Sequence, residues 1–120
     1  MKKTTLILGA SINPERYSYK ALQLLISKQH PVLAVGKSGG EVNGITISKE
    51  PIFSKDIQTV TLYLNPTHQK AYYEYILALQ PARIIFNPGT ENQELEKLAE
   101  ANDIQCIRAC TLVLLSTGQY

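Results

Sequence analysis

The stretch from Thr4 to Ser18 constrains the fold more than any other part of this sequence. An apolar run ends at Gly9, a polar loop follows, and a helical pattern begins near Ser18, which is a plausible N-cap. A strand, a loop and a helix N-terminus in this order leave unpaired backbone N–H groups and positive potential at the loop. Such a junction is typical of a binding site for an anion, most often a phosphate.

The same order of strand and helix recurs along the rest of the chain. Strands are predicted at residues 4–9, 32–35, 59–64, 83–87 and 104–107, and helices at 18–29, 67–79 and 92–102. Strands joined by helices imply right-handed crossovers. We therefore expect a Rossmann-like α/β fold of three layers, α/β/α, with a mainly parallel sheet of five strands.

Two segments leave more than one interpretation open. Residues 41–47, with Asn43-Gly44 as a turn, are compatible with a short hairpin-like excursion. The tail from Cys110 to Leu115 fits either a short helix packed across the sheet or a further strand. No linker, repeat or low-complexity segment interrupts the pattern, so residues 1–120 are expected to form one domain.

The charge and the N-terminus exclude several classes of protein. The net charge of +2 is too small to indicate nucleic acid or an anionic membrane as the main partner. The only apolar residues between the lysines at positions 2 and 3 and Gly9 are Leu6, Ile7 and Leu8, which is too short an apolar run for a signal peptide or a membrane span. The expected location is the cytoplasm, and an anionic ligand, if there is one, is expected to be small.

The cysteines and histidines do not form a recognisable catalytic or metal motif. Cys106 and Cys110 match neither a redox pair nor half of a zinc site, and we expect them to pack as small apolar groups, with a ligand contact by one of them as the alternative. His30 and His68 have no acid, serine or cysteine near them in sequence and are predicted to be incidental. We therefore predict no metal site and assign no catalytic residue.

The loops after the first four strands are predicted to share one edge of the sheet, where α/β proteins bind ligands. In the first loop, the backbone of Ala10 and Ser11 and the side chains of Ser11, Asn13, Arg16 and Ser18 have the chemistry of a pyrophosphate site. In the alternative interpretation, Asn13 is only part of a turn, Ser18 is only a cap and Arg16 is only solvated.

The second strand helps to identify the nucleotide. A dinucleotide site needs a second glycine where this chain has Ser11, and an acidic residue where this chain has Gly36-Lys37. A lysine can pair with a phosphate on the adenosine ribose, but it cannot accept hydrogen bonds from the free hydroxyl groups of an unphosphorylated ribose. This pattern disfavours NAD and leaves NADP or coenzyme A as candidate ligands. The loop after Gly36 also lacks the spacing of a P-loop.

Short motifs along nearly the whole chain recur together in one family. They are Gly9-Ala10-Ser11, Asn13-Pro14, Arg16, Ser18, Val35-Gly36-Lys37, Gly39-Gly40, Gly44, Leu64-Asn65-Pro66, Gly89 with Asn92, and Cys110. With these motifs the chain resembles the small CoA-binding domain proteins, which are related to the CoA-binding domain of the succinyl-CoA synthetase α subunit.

The resemblance implies that coenzyme A or an acyl-CoA lies extended along the edge of the sheet. Lys37 would contact the phosphorylated ribose or the adenine end of the ligand. The pyrophosphate would be held by Gly9, Ala10, Ser11, Arg16 and Ser18, the adenosine by Leu64, Asn65 and Pro66, and the pantetheine arm would lie towards Gly89 and Asn92.

Two loops depart from the family's usual pattern. Val35-Gly36-Lys37 stands where these proteins usually carry a Val-Asn-Pro-like stretch, and Phe86-Asn87-Pro88 stands where an aromatic residue and a glutamine are frequent. We predict a CoA-binding module without assigned catalysis. An NADP-binding accessory or oxidoreductase domain, and a module whose edge binds a protein partner, are the alternatives, and a homodimer is left open.

Overall fold

The computed structural model describes residues 4–120. Its elements, in chain order, are β1 (Thr4–Leu8), α1 (Tyr17–Ser27), β2 (Val32–Val35), β3 (Gly40–Val42), β4 (Ile45–Ser48), β5 (Ile57–Leu62), α2 (Pro66–Gln69), a 3-10 turn (Lys70–Tyr72), α3 (Tyr73–Leu79), β6 (Arg83–Phe86), α4 (Gln93–Glu100), β7 (Gln105–Arg108) and α5 (Thr111–Ser116).

The strands form one sheet in the order β3-β4-β2-β1-β5-β6-β7. All neighbouring pairs are parallel except β3 and β4. The Rossmann-like α/β fold is thus confirmed, but the predicted number of five strands is wrong, because the sheet has seven. The two additional strands are the hairpin expected at 41–47, which joins the sheet because β4 pairs with β2 through Ala34 with Ile47 and Val35 with Ser48.

Buried apolar residues on both faces of the sheet explain the layered architecture. Leu6 and Leu8 of β1 belong to a core cluster that includes residues of α3 and α4. Ile7, on the opposite face of the same strand, belongs to a second cluster with Leu22 of α1 and Leu115 of α5. Alternate side chains of a strand point to opposite faces, so a strand that is apolar throughout must be covered twice.

The first helix begins differently from the prediction. Its N-cap is Arg16, whose carbonyl accepts hydrogen bonds from the N–H groups of Tyr19 (3.1 Å) and Lys20 (3.2 Å). Ser18 is buried inside the first turn, so its prediction as an N-cap is wrong. The preceding loop accounts for this shift of the N-cap by two residues, because the Arg16 N–H already bonds to the Asn13 carbonyl at 3.0 Å and starts a turn before Ser18 is reached.

The remaining elements lie within a few residues of the predicted positions. The second predicted helix is broken into α2, a 3-10 turn and α3, and residues 111–116 form a helix, which resolves the alternative left open for the tail. Within residues 4–120 no helix is both long and apolar enough to cross a membrane. The lysines on which the signal-peptide argument partly depends lie outside the described residues.

Candidate ligand site at the carboxyl edge of the sheet

A cleft of about 550 Å³ lies at the carboxyl ends of β2, β1, β5 and β6. These four strands are consecutive in the sheet, so the cleft crosses three strand spacings, about 14 Å. The residues that line it come from the four loops that follow these strands and from the beginnings of α1 and α2: Gly9, Ala10, Ser11, Arg16, Tyr17, Ser18, Lys37, Ser38, Tyr63, Leu64, Asn65, His68, Pro88, Gly89 and Thr90. The predicted convergence of the loops on one edge is therefore confirmed.

A smaller cleft of about 290 Å³ adjoins the first one beside β2. Both clefts are lined by Gly9, Lys37, Leu64 and His68. The remaining lining residues of the smaller cleft are mostly apolar or aromatic: Val35, Gly36, Thr67, Ala71 and Tyr72. The two clefts together thus provide a polar groove with a less polar compartment at its β2 end.

The loop between β1 and α1 is held by its own hydrogen bonds. The N–H groups of Gly9 and Ala10 both donate to the Val35 carbonyl at 2.9 Å, which ties the start of the loop to β2. Further along, the Asn13 N–H donates to Ser11 Oγ, and the Glu15 N–H donates to Asn13 Oδ1, each at 3.0 Å. The side chain of Asn13 is therefore used within the loop.

Gly9 lines both clefts and lies close to the loop after β5. Its φ of +100° is a conformation that residues with a side chain rarely adopt, and an added Cβ would lie 3.0 Å from the backbone carbon of Tyr63. The absence of a side chain thus allows the loops after β1 and β5 to approach each other, and it leaves backbone atoms facing the cleft.

The charged residues that line the two clefts have one sign. Arg16 lines the larger cleft next to the N-terminus of α1, and Lys37 lines both clefts beyond β2. Neither lining set contains an aspartate or a glutamate. The Glu91 carboxylate lies next to the larger cleft, where it accepts a hydrogen bond from the Gly89 N–H at 3.0 Å. Among the residues that line the clefts, two cations and a helix N-terminus favour an anionic ligand.

The loops after β5 and β6 are shaped by two asparagine caps. Asn65 Oδ1 accepts a hydrogen bond from the His68 N–H at 3.0 Å and begins α2. Asn92 Oδ1 accepts one from the Leu95 N–H at 3.2 Å and begins α4. Asn65 lines the larger cleft, whereas Asn92 is buried behind it and lines neither cleft.

The structure brings most of the predicted site residues together. The larger cleft is lined by Gly9, Ala10, Ser11, Arg16, Ser18, Lys37, Leu64, Asn65 and Gly89, and the smaller one also by Gly36. Asn13, Pro66 and Asn92 line neither cleft. Ligand contacts by all of these residues stay predictions.

Sequence reasoning missed several lining residues. His68 was predicted to be incidental but lines both clefts, and Tyr17, Tyr63 and Thr90 line the larger one. Each of them lies within a few residues of a predicted strand end or helix start, and this position is the signal that could have found them. Residue type alone does not identify them as lining residues, because histidine and tyrosine are common in cores and on surfaces alike.

The two cysteines are free thiols, and neither lines a cleft. Burial raises the pKa of Cys106 to about 11, with smaller contributions from the carboxylates of Glu100 and Glu96. A thiol with such a pKa is protonated at neutral pH and is a poor nucleophile. Among residues 4–120 no group of three or more His, Cys, Asp or Glu side chains is placed to hold a metal ion.

A family model described as a CoA binding domain matches residues 3–116 of this chain. A crystal structure described only as that of an uncharacterized protein is 48% identical, with a TM-score of 0.96, and the match covers 100% of this chain and 99% of the other. No curated protein matches.

Two solved structures from thermophiles are more distant. A Thermus thermophilus protein is 23% identical, with a TM-score of 0.82 over 99% of this chain and 91% of its own. A hypothetical protein from Pyrococcus horikoshii OT3 is 24% identical, with a TM-score of 0.87 over 97% of this chain and 83% of its own. At these identities the likeness shows the fold alone.

Proposed function

This chain belongs to the family of CoA binding domains, whose model covers residues 3–116, and we propose that it reversibly binds coenzyme A or an acyl-CoA at the carboxyl edge of its sheet. The observation that carries the proposal is the long cleft across β2, β1, β5 and β6, which is lined by Arg16 and Lys37 and by no carboxylate. Coenzyme A is an extended ligand with three phosphate groups, so its charge and its length both suit such a groove.

The pyrophosphate belongs at the centre of the cleft, above β1. The N-terminus of α1 supplies unpaired N–H groups and positive potential there, and Ser11 and Ser18 supply hydroxyl groups. Arg16 lies at the same helix end, and its planar guanidinium can pair with two phosphate oxygens at once. The start of the loop is fixed relative to the sheet, because the N–H groups of Gly9 and Ala10 are hydrogen-bonded to the Val35 carbonyl.

The adenosine belongs at the β2 end of the cleft. The smaller cleft offers flat or apolar surfaces from Val35, Leu64, Ala71 and Tyr72, against which a purine can pack. Lys37 lines both clefts, where it can neutralise the phosphate on the ribose. This arrangement leaves the β6 end of the larger cleft, with Pro88, Gly89 and Thr90, for the pantetheine arm.

NADP is the second candidate, because Lys37 would also suit a 2′-phosphate on the adenosine ribose. The family membership favours coenzyme A, and Ser11 stands where a dinucleotide site has its second glycine. We assign no reaction to the site, since the groups that line it serve to hold and orient a ligand.

Isothermal titration of the purified protein with coenzyme A, beside a parallel titration with NADP, tests the proposal. Saturable binding of coenzyme A with no response to NADP is the expected result. Binding of NADP alone would replace the proposal by the second candidate. Binding of neither would overturn both, and the edge of the sheet would then be tested as a surface for a protein partner.

A further inference from the structure

Gln69 is a polar side chain with no exposed surface, on the short helix α2 beside the larger cleft. Its amide makes three hydrogen bonds. Nε2 donates to the carbonyl oxygens of Leu64 and Thr90, each at 2.8 Å, and Oε1 accepts a hydrogen bond from Asn92 Nδ2 at 3.0 Å. Both amide protons and the amide oxygen are therefore used.

These hydrogen bonds join the two walls of the cleft. Leu64 follows β5 and Thr90 follows β6, and both residues line the larger cleft. Gln69 lines neither cleft, so it lies behind the walls and holds them at a fixed separation. The contact is long-range in the chain, because 21 residues separate Gln69 from Thr90.

The side-chain amide of Gln69 matches the hydrogen-bonding groups that surround it. Two carbonyl oxygens need two donors, and the Asn92 amide group needs an acceptor, which glutamine provides together in one uncharged side chain. Buried polar groups that lose their partners are costly, so the two loops are expected to move apart and take up water when the amide is removed.

We propose that Gln69 is a positioning residue that sets the separation between the adenosine wall at Leu64 and the pantetheine wall at Gly89 and Thr90. It thereby makes the site favour the complete coenzyme over its nucleotide portion. This inference rests on the proposed function, because it presumes that coenzyme A spans both walls. The nucleotide portion contacts the Leu64 wall alone, whereas the complete coenzyme contacts both walls and therefore depends on their separation.

The test is the variant Gln69→Met, which keeps the length of the side chain and removes the amide. Titrations with coenzyme A and with adenosine 3′,5′-bisphosphate, which lacks the pantetheine arm and the second phosphate of the pyrophosphate, give the two affinities. The expected result is a loss of about tenfold in the affinity for coenzyme A and of less than about twofold for the bisphosphate. A change in the ratio of the two affinities is not expected from a general loss of stability.

Two further variants keep the test decisive. Asn92→Asp retains a side-chain cap for α4 but removes the amide group that donates to Gln69, and it should change the ratio of affinities in the same direction even if Gln69→Met does not fold. Thr59→Val is the matched control, since it removes a buried hydroxyl that accepts a hydrogen bond from Arg83 Nε (2.9 Å) in β5, away from the cleft. It should lower the melting temperature without changing the ratio.

The outcomes distinguish a failure of the positioning role from a failure of the proposed function. If the folded Gln69 or Asn92 variants lose affinity for both ligands by the same factor, or for neither, the positioning role is overturned while the proposed function stands. If the wild-type protein binds neither ligand, the proposed function itself has failed.

Discussion

Gly36 lies directly against the carbonyl oxygen of Ala10, so that a Cβ built on Gly36 would come within 2.1 Å of that oxygen. The contact brings the loop after β2 onto the loop after β1 at the floor of the proposed binding site. Since the obstacle is backbone rather than a flexible side chain, an added methyl group cannot be accommodated by a change of rotamer.

Gly36→Ala is therefore expected to lower the free energy of unfolding by about 2 kcal/mol, as forced overpacking does, and to weaken the binding of coenzyme A by displacing Ala10. Urea denaturation and titration measure the two effects. Gly44→Ala is the control, because Gly44 has a positive φ and open space around it, so that only backbone strain of about 1 kcal/mol applies. Equal losses in the two variants would contradict the steric argument.

Lys37→Ala is expected to reduce the affinity for coenzyme A by about tenfold, since a charge-assisted contact with the ribose phosphate is lost. The affinity for dephospho-coenzyme A, which lacks that phosphate, should hardly change. The measurement is a pair of titrations at one salt concentration. An equal loss for both ligands would show that Lys37 does not recognise the ribose phosphate.

Arg16→Ala should behave differently, because the pyrophosphate is common to both ligands. We expect the affinities for coenzyme A and dephospho-coenzyme A to fall together by about tenfold or more. Raising the salt concentration should weaken wild-type binding more steeply than binding by the variant, which has one cation fewer. Affinities that do not respond to the substitution would place the pyrophosphate elsewhere.

Tyr63→Phe is expected to stabilise the protein. The Tyr63 hydroxyl is buried and has no hydrogen-bond partner among residues 4–120, although it lies close to the hydroxyl groups of Thr61 and Thr111, which bond to each other at 2.7 Å. Removing an unsatisfied buried hydroxyl should raise the free energy of unfolding by about 1 kcal/mol at neutral pH. A clear loss of stability in urea denaturation would mean that the hydroxyl is satisfied.

The same variant should show a pH dependence of known sign. Burial raises the pKa of Tyr63 from 10.0 to about 12, so the folded protein keeps a proton that the unfolded chain releases. The wild type should therefore lose stability as the pH rises from 10 towards 12, and the variant should lack this contribution. The stability difference between the variant and the wild type should grow over that interval, and a constant difference would refute the assignment.

The sequence predicted the fold through features that are local. The apolar strand runs and the helical spacing are read within a few residues, and chain connectivity then places the loops after β1, β2, β5 and β6 on one edge. The pairing of β4 with β2 could not be read in this way. Ile45 and Ile47 are compatible with an isolated hairpin, and their partner in the sheet is decided by packing on α1 and α5.

The lining of the cleft was predictable at Gly9 and in the loop before α1, because a loop between a strand and a helix has a backbone geometry that the sequence indicates. Gln69 was not, since a glutamine in a helical segment is ordinarily solvated and only the fold shows that Leu64 and Thr90 converge on it. Ser18 was misread as a cap because the turn from Asn13 to Arg16 starts the helix earlier than the polar pattern suggests.

The hydrogen bonds within the loop after β1 also bear on the kinetics of binding. The N–H groups of Gly9 and Ala10 donate to the Val35 carbonyl. The backbone carbonyl and the side-chain oxygen of Asn13 each accept a hydrogen bond from a later N–H group of the same loop. The conformational entropy of this segment is therefore lost during folding rather than at the encounter with the ligand. Because the loop is preformed, association should proceed without a slow ordering step. Differences in affinity among related ligands should therefore lie mainly in their dissociation rates.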